Sequence, residues 1–193
     1  MKHLGRKVYH LAGGLALLSA YYLFGRDRAL MGYAVLFVIV LGLDVMRLTV
    51  PAMNRFVYAR FASFIRDNEA QKLTGTAPYI LGIGLSLYLF PLAVATTAIC
   101  FLAFGDVAAT TFGERYGRTR IGNKSLEGTA AFALVAMVVG GILYSQGLGT
   151  SPWVMVLGAC TAAGVELLTL QVNDNLVIPV VSGGIMELAR WLA

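Results

Sequence analysis

The chain is 193 residues long, 58% hydrophobic and 13% charged, with a mean hydropathy of +0.74. Soluble domains carry about a quarter charged residues, so this composition excludes an ordinary soluble enzyme. It predicts an all-α, polytopic membrane bundle: 22 glycines beside two tryptophans suit closely packed helices, and the ten-residue alternating segments of a barrel do not occur.

Seven apolar spans are predicted in chain order: Val8–Phe24, Ala29–Met46, Thr76–Phe90, Leu92–Phe112, Thr129–Tyr144, Trp153–Gln171 and Leu176–Leu192. Several fall short of the roughly 20 residues of a full crossing, which implies tilt, partial burial or a locally thin bilayer. Phe90-Pro91 separates the third span from the fourth, as a boundary or as a kink. The N-terminal stretch MKHLGRKVYHLAGGLALL has the charged head and apolar body of a signal peptide. No small-residue cleavage site precedes the turn Gly25-Arg26-Asp27-Arg28, so it reads as a retained first helix. Pro51–Arg66 sets Phe56, Ala59, Arg60, Ser63 and Phe64 at helical spacing with arginines interleaved. That is either an interfacial amphipathic helix or an ordinary connecting one.

Basic residues orient the spans. With the N-terminus inside, only Arg26, Arg28 and Arg190 of the 15 lysines and arginines fall outside. Lys2, Arg6, Lys7, Arg47, Arg55, Arg60, Arg66, Lys72, Arg115, Arg118, Arg120 and Lys124 are then cytoplasmic. The expectation is one domain, 1–193, crossing a cell inner membrane or its equivalent several times. The net charge of +5 reads as loops beside anionic lipid, and nucleic acid is not an expected partner.

The chemistry centres on Leu102 to Gly128. Asp106 lies within an apolar run, where a carboxylate is costly and marks a candidate functional site. A glycine-punctuated basic loop follows: Gly113, Gly117, Gly122 and Gly128 with Arg115, Arg118, Arg120 and Lys124. An acid able to hold a divalent cation, then backbone and cations suited to phosphate oxygens, suggests a site for metal-bound polyphosphate. Gly117-x4-Gly122-Asn123-Lys124-Ser125 looks like a P-loop but is not one, because Asn123 intervenes before the lysine and a membrane helix replaces the preceding strand.

Other polar groups carry competing readings. Arg6, Lys7 and His10 fit on one helical face, as phosphate ligands or as positive-inside anchors. Asp44 and Arg47, three apart, suit a local ion pair. Glu166 lies well inside the sixth span and needs a partner or a metal. Asp174 either caps the last helix, with Asn173 or Asn175 helping, or also serves as a ligand. Cys100 and Cys160 read as packing residues, and two histidines with two distant cysteines make neither a catalytic triad nor a zinc site.

Arg6-Lys7-x-x-His10, Gly105-Asp106 followed by Gly113 and Gly117, and Lys124-Ser125-x-Glu127-Gly128 together resemble the CTP-dependent lipid-alcohol kinases. That family includes dolichol kinase, phytol kinase and the CTP-using diacylglycerol kinase, and is related to the phosphatidate cytidylyltransferases. Asp44-x-x-Arg47, Glu69 with Thr74-Gly75, Glu166 and Asp174-Asn175 also sit where the family has similar polar groups. The chain is shorter than the eukaryotic dolichol kinases and resembles their catalytic core. The resemblance implies essential roles for Arg6, Lys7, Asp106 and Gly113, and a nucleotide loop that includes Lys124, Ser125, Glu127 and Gly128. Gly117, Arg115 and His10 join the expected nucleotide-binding set.

The mechanism so implied is transfer of a phosphoryl group from CTP to a membrane lipid alcohol, of the polyprenol, phytol or diacylglycerol type. Asp106, with Glu166 or Asp174, would hold Mg²⁺. Cytidylyl transfer to a lipid phosphate is the first alternative. A small ion-coupled transporter is the second, although no inverted repeat is visible. A homodimer is left open.

Overall fold

Backbone polar groups in a lipid-facing segment must be satisfied within the segment, and a helix does this for every apolar run of the chain. The computed structural model describes residues 4–61, 69, 71–168 and 172–192. Lys2, Ser63, Phe64, Arg66 and Gln171 lie outside these described residues. In order come α1 (Leu4–Phe24), α2 (Arg26–Thr49), α3 (Pro51–Phe61), α4 (Thr76–Leu89) and α5 (Leu92–Tyr116). A two-stranded hairpin follows, β1 (Arg120–Ile121) and β2 (Lys124–Ser125), then α6 (Leu126–Ser145), α7 (Pro152–Leu167) and α8 (Asp174–Trp191). Over the described residues the predicted spans fall on these helices to within one residue, and the architecture is an all-α membrane bundle. Phe90-Pro91 is a true break, with α4 ending before it and α5 starting after it.

By length and composition α2, α5 and α6 are able to cross a membrane. The apolar helices α4 and α7 are shorter, at 14 and 16 residues. At 1.5 Å per residue they reach about 21 and 24 Å, against a hydrocarbon core of about 30 Å.

Helix α5 is the central post. It packs against α1, α4, α6, α7 and α8, and it is buried from Val94 through Ala103 and again at Gly105, Asp106, Ala108 and Ala109. Its closest partner is α6. Phe132 lies flat against Gly105, where a β-carbon would stand 2.6 Å from the ring. Helix α2, by contrast, buries only Ala29, Tyr33, Asp44 and Arg47, and exposes Val35, Val38, Ile39 and Leu43 on a lipid-facing side. Antiparallel alternation gathers the starts of α1, α4, α6 and α8 with the ends of α2, α5 and α7. Contacts of Lys7 with Glu114 and of His10 with Asn175 tie that end together. At the opposite end Arg26 donates to the Tyr88 carbonyl at 2.9 Å.

Helix α3 buries no residue. Met53, Asn54, Val57 and Tyr58 lie half-buried toward the bundle, and Arg55, Phe56, Ala59 and Arg60 face outward. The mixture of arginines and exposed aromatic rings on the outer side suits a helix lying at a membrane surface.

Candidate active site

The loop after α5 is a hairpin. Arg120 pairs with Ser125 and Ile121 with Lys124, leaving Gly122-Asn123 as a two-residue turn. Gly122 takes φ 58, a left-handed conformation that glycine enters without strain. Helix α5 runs on to Tyr116, so Gly113 and Arg115 are helical and not part of a loop as the sequence suggests; the Gly117 N–H continues the ladder to the Gly113 carbonyl at 3.2 Å.

The hairpin sends Lys124 inward. Its Nζ donates to Glu166 Oε1 at 3.0 Å and to Asp174 Oδ2 at 2.7 Å, while the Thr129 hydroxyl donates to Glu166 Oε2 at 2.7 Å. Burial alone would lower the Lys124 pKa, but Asp174 and Glu166 overcome it and raise it above its ordinary 10.5. Ser125 caps α6, its Oγ accepting from the Gly128 N–H at 3.1 Å. Glu127 closes the hairpin by accepting from the Thr119 N–H at 3.0 Å. Gly113, Gly117 and Gly128 pack on the Ser125 side chain, and a β-carbon at Gly128 would stand 2.7 Å from the Ala109 carbonyl. The Lys-Ser-x-Glu-Gly stretch is thus a self-bonded turn that joins α6 tightly to α5. Arg115, Arg118 and Arg120 are exposed, and among the described residues none of them forms an ion pair.

On the other side of the α8 N-terminus lies a cavity of about 410 Å³. Arg6, Tyr9 and His10 of α1, Val57 and Phe61 of α3, and Tyr79 of α4 are among its walls. His10 Nε2 meets Asn175 Oδ1 at 3.0 Å, and its ring stacks at 4.1 Å on Tyr79, whose hydroxyl donates to the His10 carbonyl at 2.5 Å. Asn175 Nδ2 donates to the Gly75 carbonyl at 2.9 Å. The two neighbours Asp174 and Asn175 therefore reach into different clusters. The cap of α8 is Asn173, whose Oδ1 accepts from the Asn175 N–H at 3.0 Å. Asp174 is the first helical residue and is engaged by Lys124.

Asp44 and Arg47 form the expected ion pair, with Nη2 to Oδ1 at 3.1 Å, but their reach is wider. Arg47 also donates to Asn54 Oδ1 and to the carbonyls of Glu69 and Lys72. Asp44 Oδ2 accepts from both the N–H and the hydroxyl of Thr74 at 2.7 Å. Glu69 Oε1 accepts from the Gly75 N–H at 3.1 Å. Together these contacts clasp the cavity-lining stretch at Thr74-Gly75 to the end of α2.

The Arg-Lys-x-x-His opening divides. Arg6 and His10 line the cavity, whereas Lys7 turns away and pairs with Glu114 Oε2 of α5 at 2.9 Å. Asp106 is 5% exposed, lies within electrostatic reach of the Tyr79 phenol, and its carboxylate makes no hydrogen bond or ion pair among the described residues. No group of three or more His, Cys, Asp and Glu side chains among them converges on a metal-sized space. Asp106, Glu166 and Asp174 are therefore not one preformed cage. Tyr79, Glu114 and Thr129 were not found by sequence reasoning. Each is an ordinary-looking residue in or beside an apolar helix, and only the packing gives it a partner. Cys100 and Cys160 are free thiols.

No family model matches the chain, and no solved structure does. Curated proteins do. It is 29% identical over 160 residues to CTP-dependent diacylglycerol kinase 1 of Schizosaccharomyces pombe, covering 75% of this chain and 73% of that one. The Saccharomyces cerevisiae protein of the same name is 28% identical over 209 residues, 94% of this chain and 71% of that one. The phytol kinase of Synechocystis is 28% identical over 200 residues, 97% of this chain and 79% of that one. Relatives bearing these names match the chain along most of its length, so what it is similar to is the CTP-dependent lipid kinases.

Proposed function

We propose that this protein transfers the terminal phosphoryl group of CTP to the hydroxyl of a membrane lipid alcohol, of the diacylglycerol or phytol class. The observation that carries the reading is Asp106: an acid buried in an apolar helix, unpartnered among the described residues, and within electrostatic reach of Tyr79 in the cavity wall. The lipid hydroxyl oxygen attacks the γ-phosphorus and gives up its proton to water, the bond from that phosphorus to the β-bridging oxygen breaks, and CDP leaves with the electron pair. Positioning and charge neutralisation supply most of such a rate enhancement. Arg115, Arg118 and Arg120 attract the polyphosphate, and Lys124 neutralises charge developing on it. Arg6 faces the acceptor side.

Asp106, with Glu166 or Asp174, would hold Mg²⁺, which supplies further neutralisation of the phosphates when bound. Carboxylates are the right donor type, since Mg²⁺ is usually held by one or two of them with water and phosphate oxygens completing the shell, and Lys124 would have to release the second acid for it to serve. We place the site on the cytoplasmic side of a seven-pass bundle, following the distribution of basic residues.

The test is product analysis. Purified protein is incubated with CTP, Mg²⁺ and a panel of diacylglycerol, phytol, dolichol and phosphatidate. CDP plus a lipid monophosphate is expected. Pyrophosphate plus a CDP-lipid would reassign the chain to cytidylyl transfer, and no turnover with any lipid would overturn the enzyme reading.

A further inference from the structure

The polar groups at the active end are divided by kind. Cations gather at the hairpin, where Lys124 sits between two acids and three arginines stand exposed. Among the described residues, Arg6 is the single lysine or arginine lining the cavity. Its walls are aromatic and aliphatic at Tyr9, Val57, Phe61 and Tyr79, and its amide and hydroxyl groups are largely engaged with one another. Asn175 is held by His10 and the Gly75 carbonyl, and the Thr74 hydroxyl by Asp44. A triphosphate asks for several cations and open N–H donors. Among the described residues this space presents aromatic and aliphatic faces with Arg6 and Glu69 as its charged lining, which suits the wet end of an amphiphile.

The geometry of the cover agrees. Val57 and Phe61 come from α3, the helix with no buried residue and with arginines and Phe56 facing outward. The cavity therefore has a wall made by the element that suits the headgroup level. We infer that the cavity is the seat of the acceptor: the hydroxyl-bearing end of the lipid alcohol enters beneath α3 and lies between Tyr9, Val57 and Thr76, with Asp106 behind Tyr79. The nucleotide occupies the hairpin side. This assignment rests on the kinase reading and names which part of the site takes which substrate. Diacylglycerol and prenols share the recognised chemistry.

The experiment uses the full chain in lipid nanodiscs without nucleotide. Two photoreactive probes are compared, a dioctanoylglycerol with a diazirine beside the glycerol and a phytol with a diazirine beside the hydroxyl, and adducts are mapped by peptide mass spectrometry. Adducts are expected on α3 and at Tyr9 or Thr76, competed by the unlabelled alcohol and indifferent to CTP. The probe that labels more efficiently identifies the acceptor. Adducts confined to the apolar groove of about 280 Å³ between α2 and α4, which Phe37 and Leu81 help to line, would overturn the assignment. So would competition by CTP alone.

A second readout is Val57→Trp, which fills the cavity from α3. It is expected to raise KM for the alcohol about tenfold while KM for CTP stays within about twofold; the opposite pattern would place the nucleotide there. Labelling needs no turnover. A chain that labels at α3 yet phosphorylates no alcohol loses the kinase reading and keeps the seat, and one that turns over but labels elsewhere keeps the kinase and loses the seat.

Discussion

The hairpin cluster and the cavity stand at the same end of the bundle, and they handle polar groups differently. At the hairpin, Lys124 bridges Glu166 and Asp174 directly, and the Thr129 hydroxyl donates to the other oxygen of Glu166. Around the cavity most contacts are neutral, such as His10 with Asn175 and Tyr79 with the His10 carbonyl. Among the described residues the ion pair near it, Asp44 with Arg47, engages backbone carbonyls and Thr74 and is not part of the cavity lining. Arg115, Arg118 and Arg120 stand exposed at the hairpin, and among the described residues the charged lining of the cavity is Arg6 and Glu69. Asp106 takes part in neither set of contacts and lies within electrostatic reach of Tyr79.

The largest effect should come from that residue. Asp106→Asn keeps the shape and removes the charge, and is expected to cut turnover by about 10³-fold with an unchanged melting temperature, measured as CDP release in mixed micelles. Retained activity would take Asp106 out of the mechanism. Lys124→Met attacks the ionic side. It leaves Glu166 and Asp174 facing one another without a cation, for a loss of about 3 kcal/mol in thermal denaturation in detergent; adding Glu166→Gln should restore part of it. Because the Lys124 pKa is raised, its contribution is complete below 10.5 and is lost only as pH climbs through the raised value. The gap between wild type and Lys124→Met should therefore hold steady from neutrality to about pH 9.

Arg47→Lys attacks the neutral side. A lysine keeps the charge but cannot span Asp44, Asn54 and two carbonyls at once. The clasp on Thr74-Gly75 loosens, and KM for the lipid should rise about fivefold with KM for CTP unchanged. An equal rise for both substrates would mean that the clasp supports the whole end of the bundle. Ser125→Ala should be mildest: about 1 kcal/mol from the lost cap, with little change in KM for CTP. A large change there would assign the hydroxyl to the nucleotide.

What the sequence disclosed follows from how local each signal is. Apolar runs report helices directly, and Phe90-Pro91 marks a break because proline lacks the N–H to continue one. Asp44 and Arg47 are readable because three residues bring side chains together on a helix. The partner of Lys7 is 107 positions away and that of His10 is 165, so no window of sequence contains them. Tyr79 sits in a run of apolar and small residues and looks like packing until α1 is laid against it. Asn173 and Asp174 are both acceptable caps; the structure has Asn173 as the cap and Asp174 paired with Lys124, from another element. The glycines were read as room for a ligand. In the structure Gly113 and Gly128 are also the surfaces on which α5 and α6 meet.

Helix α5 is enclosed by five other helices, and that enclosure has a consequence for how acceptor preference can change. The main chain at Asp106 is packed among those helices, so on the proposed reading substrates would come to the acid and it would not travel to them. Such a fixed post would uncouple the reaction from the choice of lipid. Substitutions at Tyr9, Val57 or Phe61 would remodel a wall contributed by α1 and α3 while the acid kept its position. On that reading one frame could accept alcohols of different shape, each admitted by a few residues at the rim.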